Sequence, residues 1–132
     1  MLLICRYAVP ETGIEDFLSQ ARTAMRLLGA QPGCRGVQLT RTVEQDPDGV
    51  DWTLIARFDS VVAYRRALSP FDVREHVVPF LSRAEVGGSA VHEVLVESVP
   101  GEESPREQES LLARDRGSVR LGEVAGPDVP RR

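Results

Sequence analysis

The tetrapeptide "DPDG", Asp46 to Gly49, lies between two segments in which apolar and polar residues alternate, and no other feature restricts the fold of this chain as much. Before it, "CRGVQLTRTVEQ" places Val37, Leu39 and Val43 among polar residues; after it comes "VDWTLIARFDS". A period of two marks a half-buried strand, and a Pro flanked by Asp with Gly following is a turn signal, so the two segments are expected to pair as a hairpin. Upstream, Met1 to Val9 is rich in strand formers and stops at Pro10. The segment "ETGIEDFLSQARTAMRLLGAQPG" then carries Ile14, Phe17, Leu18, Ala21, Met25 and Leu28 at helical spacing. Downstream, Ser60 is placed to cap a short helix over "VVAYRRAL", a second helix follows Ser69, and "GGSAVHEVLVESV" supplies a last strand. The order is β-α-β-β-α-β, which predicts an α+β, ferredoxin-like domain with an antiparallel sheet and helices on one face.

One layer of helices covers one side of a sheet. Strand alternation sends Leu2, Ile4 and Ile55 to the other side if their neighbours face the helices, and that side needs a cover of its own. A second subunit is the economical one, and a symmetric homodimer with facing sheets is expected.

The helix expected from Ser69 deserves a closer reading, because "ALSPFDVREHVVPFL" holds one of the two histidines. Ser69 is placed to cap it, Pro70 suits the first helical position, Asp72 can complete a capping box, and Leu68 with Val73 forms a staple. Val73, Val77, Phe80, Leu81 and Ala84 make its apolar stripe, with His76 at the margin. Pro79 has no amide hydrogen for the Glu75 carbonyl, so a kink is expected there. On spacing, His76 is either an acid/base group facing a cavity or a margin residue bonded to backbone or water.

The chain has 132 residues, enough for one core, and a formal net charge of -4. Without a basic cluster, neither nucleic acid nor an anionic membrane is an expected partner. Every basic side chain apart from the two histidines is Arg, and the absence of Lys removes Schiff-base chemistry. The run "MLLICRYAV", broken by Arg6, is too short to span a membrane or serve as a signal segment. Cys5 and Cys34 lack metal-ligand spacing and read as free thiols of a cytoplasmic protein. From about Pro100 the composition turns to Glu, Arg, Gly and Pro. A domain over residues 1–99 is therefore expected, with a disordered tail over 100–132 and one turn of helix near "REQESLLAR".

Three stretches carry a resemblance to a known family. "QPGCRGVQLTRTVEQ", "LIARFDSVVAYRRAL" and "SPFDVREH" resemble, in order, segments of the antibiotic biosynthesis monooxygenase superfamily of dimeric α/β barrels, the likeness running from Met1 to about Val99. The resemblance implies a cofactor-free monooxygenase acting on an aromatic or polyketide-type small molecule. Its haem-degrading branch implies an alternative, with haem as cofactor and His76 at the axial position. Cys5 and Phe58 stand where that branch has an asparagine and a tryptophan, and neither side chain supplies an amide or an indole N–H. A third reading is a non-catalytic dimeric binding module.

Alternation puts Cys5 and Tyr7 on the helix-facing side of the first strand, and the same register puts Trp52, Leu54 and Phe58 there from the third. With Phe71, His76 and Phe80 these outline an apolar, aromatic-walled space suited to a flat ligand, or a filled core. His76 is the best candidate base; Tyr7 and Trp52 could orient a phenol or quinone oxygen.

Overall fold

The computed structural model describes residues 1–44 and 51–110; the "DPDG" turn lies outside the described residues. Strand β1 (Leu2–Tyr7) leads through a single 3-10 turn into helix α1 (Ile14–Gly29), followed by β2 (Cys34–Arg41) and β3 (Trp52–Phe58). Three short helices come next, α2 (Val61–Ala67), α3 (Phe71–His76) and α4 (Val78–Ser82), and then β4 (Ala90–His92). The sheet order is β2-β3-β1-β4 with every neighbouring pair antiparallel. This is the ferredoxin-like α+β arrangement expected, with β3 inserted between the strands that α1 connects.

Burial follows the alternation. Leu3, Cys5 and Tyr7 of β1, and Trp52, Leu54, Ala56 and Phe58 of β3, are all buried, while Leu2, Ile4, Arg6, Thr53 and Ile55 between them are only partly so. From α1, Phe17, Ala21, Ala24 and Leu28 come down on this face at helical spacing, each fully buried. Val73, Val77 and Phe80 complete the core from α3 and α4.

The local signals around these helices hold unevenly. Ser60 caps α2 by accepting from the Ala63 amide at 3.0 Å. Ser69 does not cap α3: its hydroxyl donates to the Arg66 carbonyl at 2.8 Å and so closes α2, while the cap position falls to Pro70 with extended backbone. The expected break at Pro79 is present, α3 stopping at His76 and α4 starting at Val78. Gly33, at φ +84°, turns the chain into β2, and its carbonyl accepts from the Asp59 amide at 2.9 Å.

The last predicted strand divides. In β4 only Ala90, Val91 and His92 pair, opposite Ile4, Leu3 and Leu2. Beyond Ile4, the β1 backbone is held by a loop instead: the Arg6 amide donates to Ser89 Oγ at 3.0 Å, and the Glu85 amide donates to the Arg6 carbonyl at 2.7 Å.

The described residues from Glu93 to Ser110 belong to a separate compact unit. Within it, β5 (Val96–Glu97) pairs antiparallel with β6 (Arg106–Glu107). The turn between them is shaped by a Glu102 amide bond to the Val99 carbonyl at 3.0 Å and an Arg106–Glu102 ion pair. This ribbon crosses the boundary expected at residue 99, and Arg106 and Glu107, expected in a turn of helix, are extended. The reason is pairing: the Gln108 amide and side chain reach back to the carbonyls of Leu95 and Val94, which a helix over these residues would forgo.

Candidate functional site

The helix-facing end of the sheet at Tyr7 and Trp52 gathers the aromatic side chains. Ladder register sets Tyr7 and Arg41 directly opposite Trp52 on its two sides, so the three form one cross-strand row on the helix face. Phe17 of α1 and Phe80 of α4 meet this row. Tyr7 stacks on Phe80 at 4.9 Å between ring centroids and meets Phe17 at 5.1 Å; Phe17 lies 5.4 Å from Phe80 and 5.6 Å from Trp52. These are contact distances for offset and tilted rings.

The polar atoms of this cluster are few and unequal. Tyr7 donates its hydroxyl to the Phe80 carbonyl at 3.1 Å, so it is committed to the backbone. The indole Nε1–H of Trp52 is buried with no acceptor among the described residues, in a side chain only 8 % exposed. Such an orphaned donor is uncommon in a native core and marks either a bound water or a ligand position. Two guanidinium groups cover the rim. Arg41 lies with Cζ 5.2 Å from the Trp52 ring centroid, and Arg83 with Cζ 5.8 Å from that of Phe17. Both are cation–π distances.

Further along the same face, Cys5 and Leu54 are buried, and Phe58 meets Tyr64 edge-on at 5.6 Å. Burial pushes the Cys5 thiol up to about 11, and it raises the Tyr7 and Tyr64 phenols as well, with the nearby Cys5 adding to both. At neutral pH these three groups are proton-holding, neither thiolate nor phenolate. A measurable consequence follows. A group whose pKa is raised by folding stabilises the native state fully below its unfolded pKa and loses that contribution as pH rises through the folded value. The chain has no Lys to titrate in the same range. Stability is expected to fall between pH 9 and pH 11, with Cys5 accounting for up to about 3 kcal/mol, and Cys5→Ala to flatten the decline. Urea unfolding at stepped pH checks this.

Of the residues singled out in the sequence, Cys5, Tyr7, Trp52, Leu54, Phe58 and Phe80 are in the buried face as expected. Phe71 is not: it is 69 % exposed, because it lies about 200° around the helix from Val73 and so on the opposite side. His76 does not line an enclosed space with Tyr7, Trp52 and Phe58 either. Its side chain is 53 % exposed, with Nε2 3.3 Å from Glu75 Oε1. As the axial ligand of the haem alternative, His76 would present an imidazole half in solvent beside Glu75. Missed from the sequence are Phe17, read only as helix stripe, and the arginines Arg41 and Arg83. Among the described residues no group of His, Cys, Asp or Glu is placed to hold a metal, and no helix is long and apolar enough to cross a membrane.

The outer face of the sheet carries a shallow depression of about 190 Å³ lined by Leu2, Ile55, Gly36, Gln38, Arg35 and Arg57. Asp59, which shares a strand face with Arg57, is ion-paired to Arg35.

No protein-family model matches the chain, and no curated protein does. Solved structures do. The cofactor-independent oxygenase SnoaB from Streptomyces nogalater, crystallised as its N63A mutant, is 25 % identical at a TM-score of 0.50, over 64 % of this chain and 82 % of that one. A conserved protein from Methanosarcina mazei Go1 is 11 % identical at 0.53, over 67 % and 84 %. A provisionally named antibiotic biosynthesis monooxygenase from Bacteroides thetaiotaomicron is 12 % identical at 0.50, over 64 % and 79 %. The chain thus has the ferredoxin-like fold of antibiotic biosynthesis monooxygenase-like proteins, as the resemblance implied.

Proposed function

We propose that this chain is a cofactor-free monooxygenase acting on a flat aromatic or polyketide-type small molecule, and that it works as a homodimer. The observation that carries the reading is the four-ring cluster of Tyr7, Phe17, Trp52 and Phe80 at one end of the sheet, in a fold shared with a cofactor-independent oxygenase. Oxygenation without a flavin or metal requires a substrate that, once ionised, gives an electron to oxygen. Overall, a ring CH₂ and O₂ become a ring C=O and water, so one oxygen atom enters the product and no external reductant is consumed. The protein's tasks are then to hold the ring, favour the ionised form and exclude water. Stacking on the cluster serves the first, and the orphaned Trp52 N–H is a donor for a substrate oxygen.

The test is oxygen uptake with dihydroxyanthrone-type substrates. Uptake stoichiometric with quinone formation, reduced at least tenfold in Trp52→Phe, is expected. Binding without uptake would replace this reading by a second, the non-catalytic binding module, which the close ring packing and the committed Tyr7 hydroxyl favour.

For the dimer, the support is the outer sheet face, where Leu2 and Ile55 floor a depression ringed by polar side chains. A second copy would bury them. Ile55→Arg is expected to shift the protein to monomer in sedimentation equilibrium, with its circular dichroism unchanged.

A further inference from the structure

The rim of the aromatic cluster is made of donors. Arg41 lies over Trp52, Arg83 over Phe17, and the buried Trp52 N–H has no acceptor among the described residues. The hydrogen bond that Arg83 makes goes to a neutral acceptor, Gln20 Oε1. That same Gln20 donates its Nε2 to Asp16 Oδ2 at 3.2 Å, so a glutamine stands between the guanidinium and the carboxylate of α1. Among the described residues neither Arg41 nor Arg83 is in an ion pair with a carboxylate. A pair of cations set on ring faces and left unneutralised, with an orphaned buried N–H beside them, is the complement of a planar anion.

We propose that Arg41, Arg83 and the Trp52 N–H recognise the ionised form of the substrate, a phenolate or enolate on a flat ring, in preference to its neutral form. This deepens the proposed function and rests on it for the substrate class. It also accounts for the lack of a base in the cluster among the described residues: Cys5 and Tyr7 hold their protons, and His76 is half in solvent beside Glu75. The site binds the anion, and the proton goes to water. The titratable and charged groups around the rim are Tyr7 from β1, Arg41 from β2, Asp16 from α1, Arg83, which follows α4 and whose charge is felt by Tyr7, and Asp51, whose Oδ1 is engaged by the Val9 amide at 3.3 Å.

The experiment uses 4-nitro-1-naphthol, a two-ring phenol whose ionised form absorbs visible light and which oxygen does not consume. Its apparent pKa is read by absorbance with and without saturating protein. A fall of about one unit, corresponding to roughly tenfold tighter binding of the phenolate, is expected. Arg41→Gln and Arg83→Gln are each expected to lose a large part of the shift, and the Lys replacements to restore most of it, with unchanged circular dichroism. An unchanged pKa, no binding of the probe, or a shift that survives the double Gln variant overturns the proposal. Because no turnover is measured, the anion preference can stand when oxygen uptake fails, and uptake on a substrate bound without that preference would sink this inference alone.

Discussion

Phe17→Ala is expected to destabilise the protein by about 3–5 kcal/mol, the range for deleting a buried aromatic ring whose surroundings cannot fully collapse. Phe17 is fully buried and sits at the centre of the cluster, in contact with Tyr7, Trp52 and Phe80 and covered by Arg83. Its neighbours come from three different elements, so no single side-chain movement can fill the void. Urea unfolding measures the loss, and Phe17→Leu should recover more than half of it. A loss below about 1 kcal/mol would mean that the rings are not packed as described.

Gly33→Ala is the second large effect, and its cause is backbone rather than core. At φ +84° an alanine is strained, and its methyl carbon would stand 2.7 Å from the Ala63 Cβ of α2. The left-handed conformation costs about 1–2 kcal/mol and overpacking a further 1–3 kcal/mol, so about 3 kcal/mol in total is expected. The diagnostic is a double variant. In Gly33→Ala with Ala63→Gly the steric part should be relieved, leaving the conformational part together with the helix penalty of the second glycine.

The two positions differ in how much the sequence alone discloses. A period of two over "LLICRY" and "WTLIARF" sorts every residue to one face, and burial follows that sorting without exception at Leu3, Cys5, Tyr7, Trp52, Leu54, Ala56 and Phe58. The stripe Val73, Val77, Phe80 is legible for the same reason at the helical period. His76 is not, because it lies about 60° from Val73, where what packs alongside decides burial, and the helix breaks immediately after it. Arg41 was hidden differently. Its place beside Trp52 depends on the ladder register, and a turn motif announces a hairpin without fixing which residues face each other. Arg83 and Phe17 meet only through tertiary packing, which no local pattern encodes.

The loop that follows α4 has a colloidal consequence. A sheet ending in an open row of amides and carbonyls is a template for strands from other molecules. With β4 covering only Leu2 to Ile4, the second half of β1 would be such a row, but Ser89 and Glu85 occupy the Arg6 amide and carbonyl. The loop reaches that position with Gly88 at φ +85° against the Arg6 side chain, where a methyl group would come within 2.7 Å of Nη1. Gly88 and Ser89 thus blunt one sticky margin of the sheet, the second half of β1, and lower the tendency to edge-to-edge pairing there when the protein is concentrated.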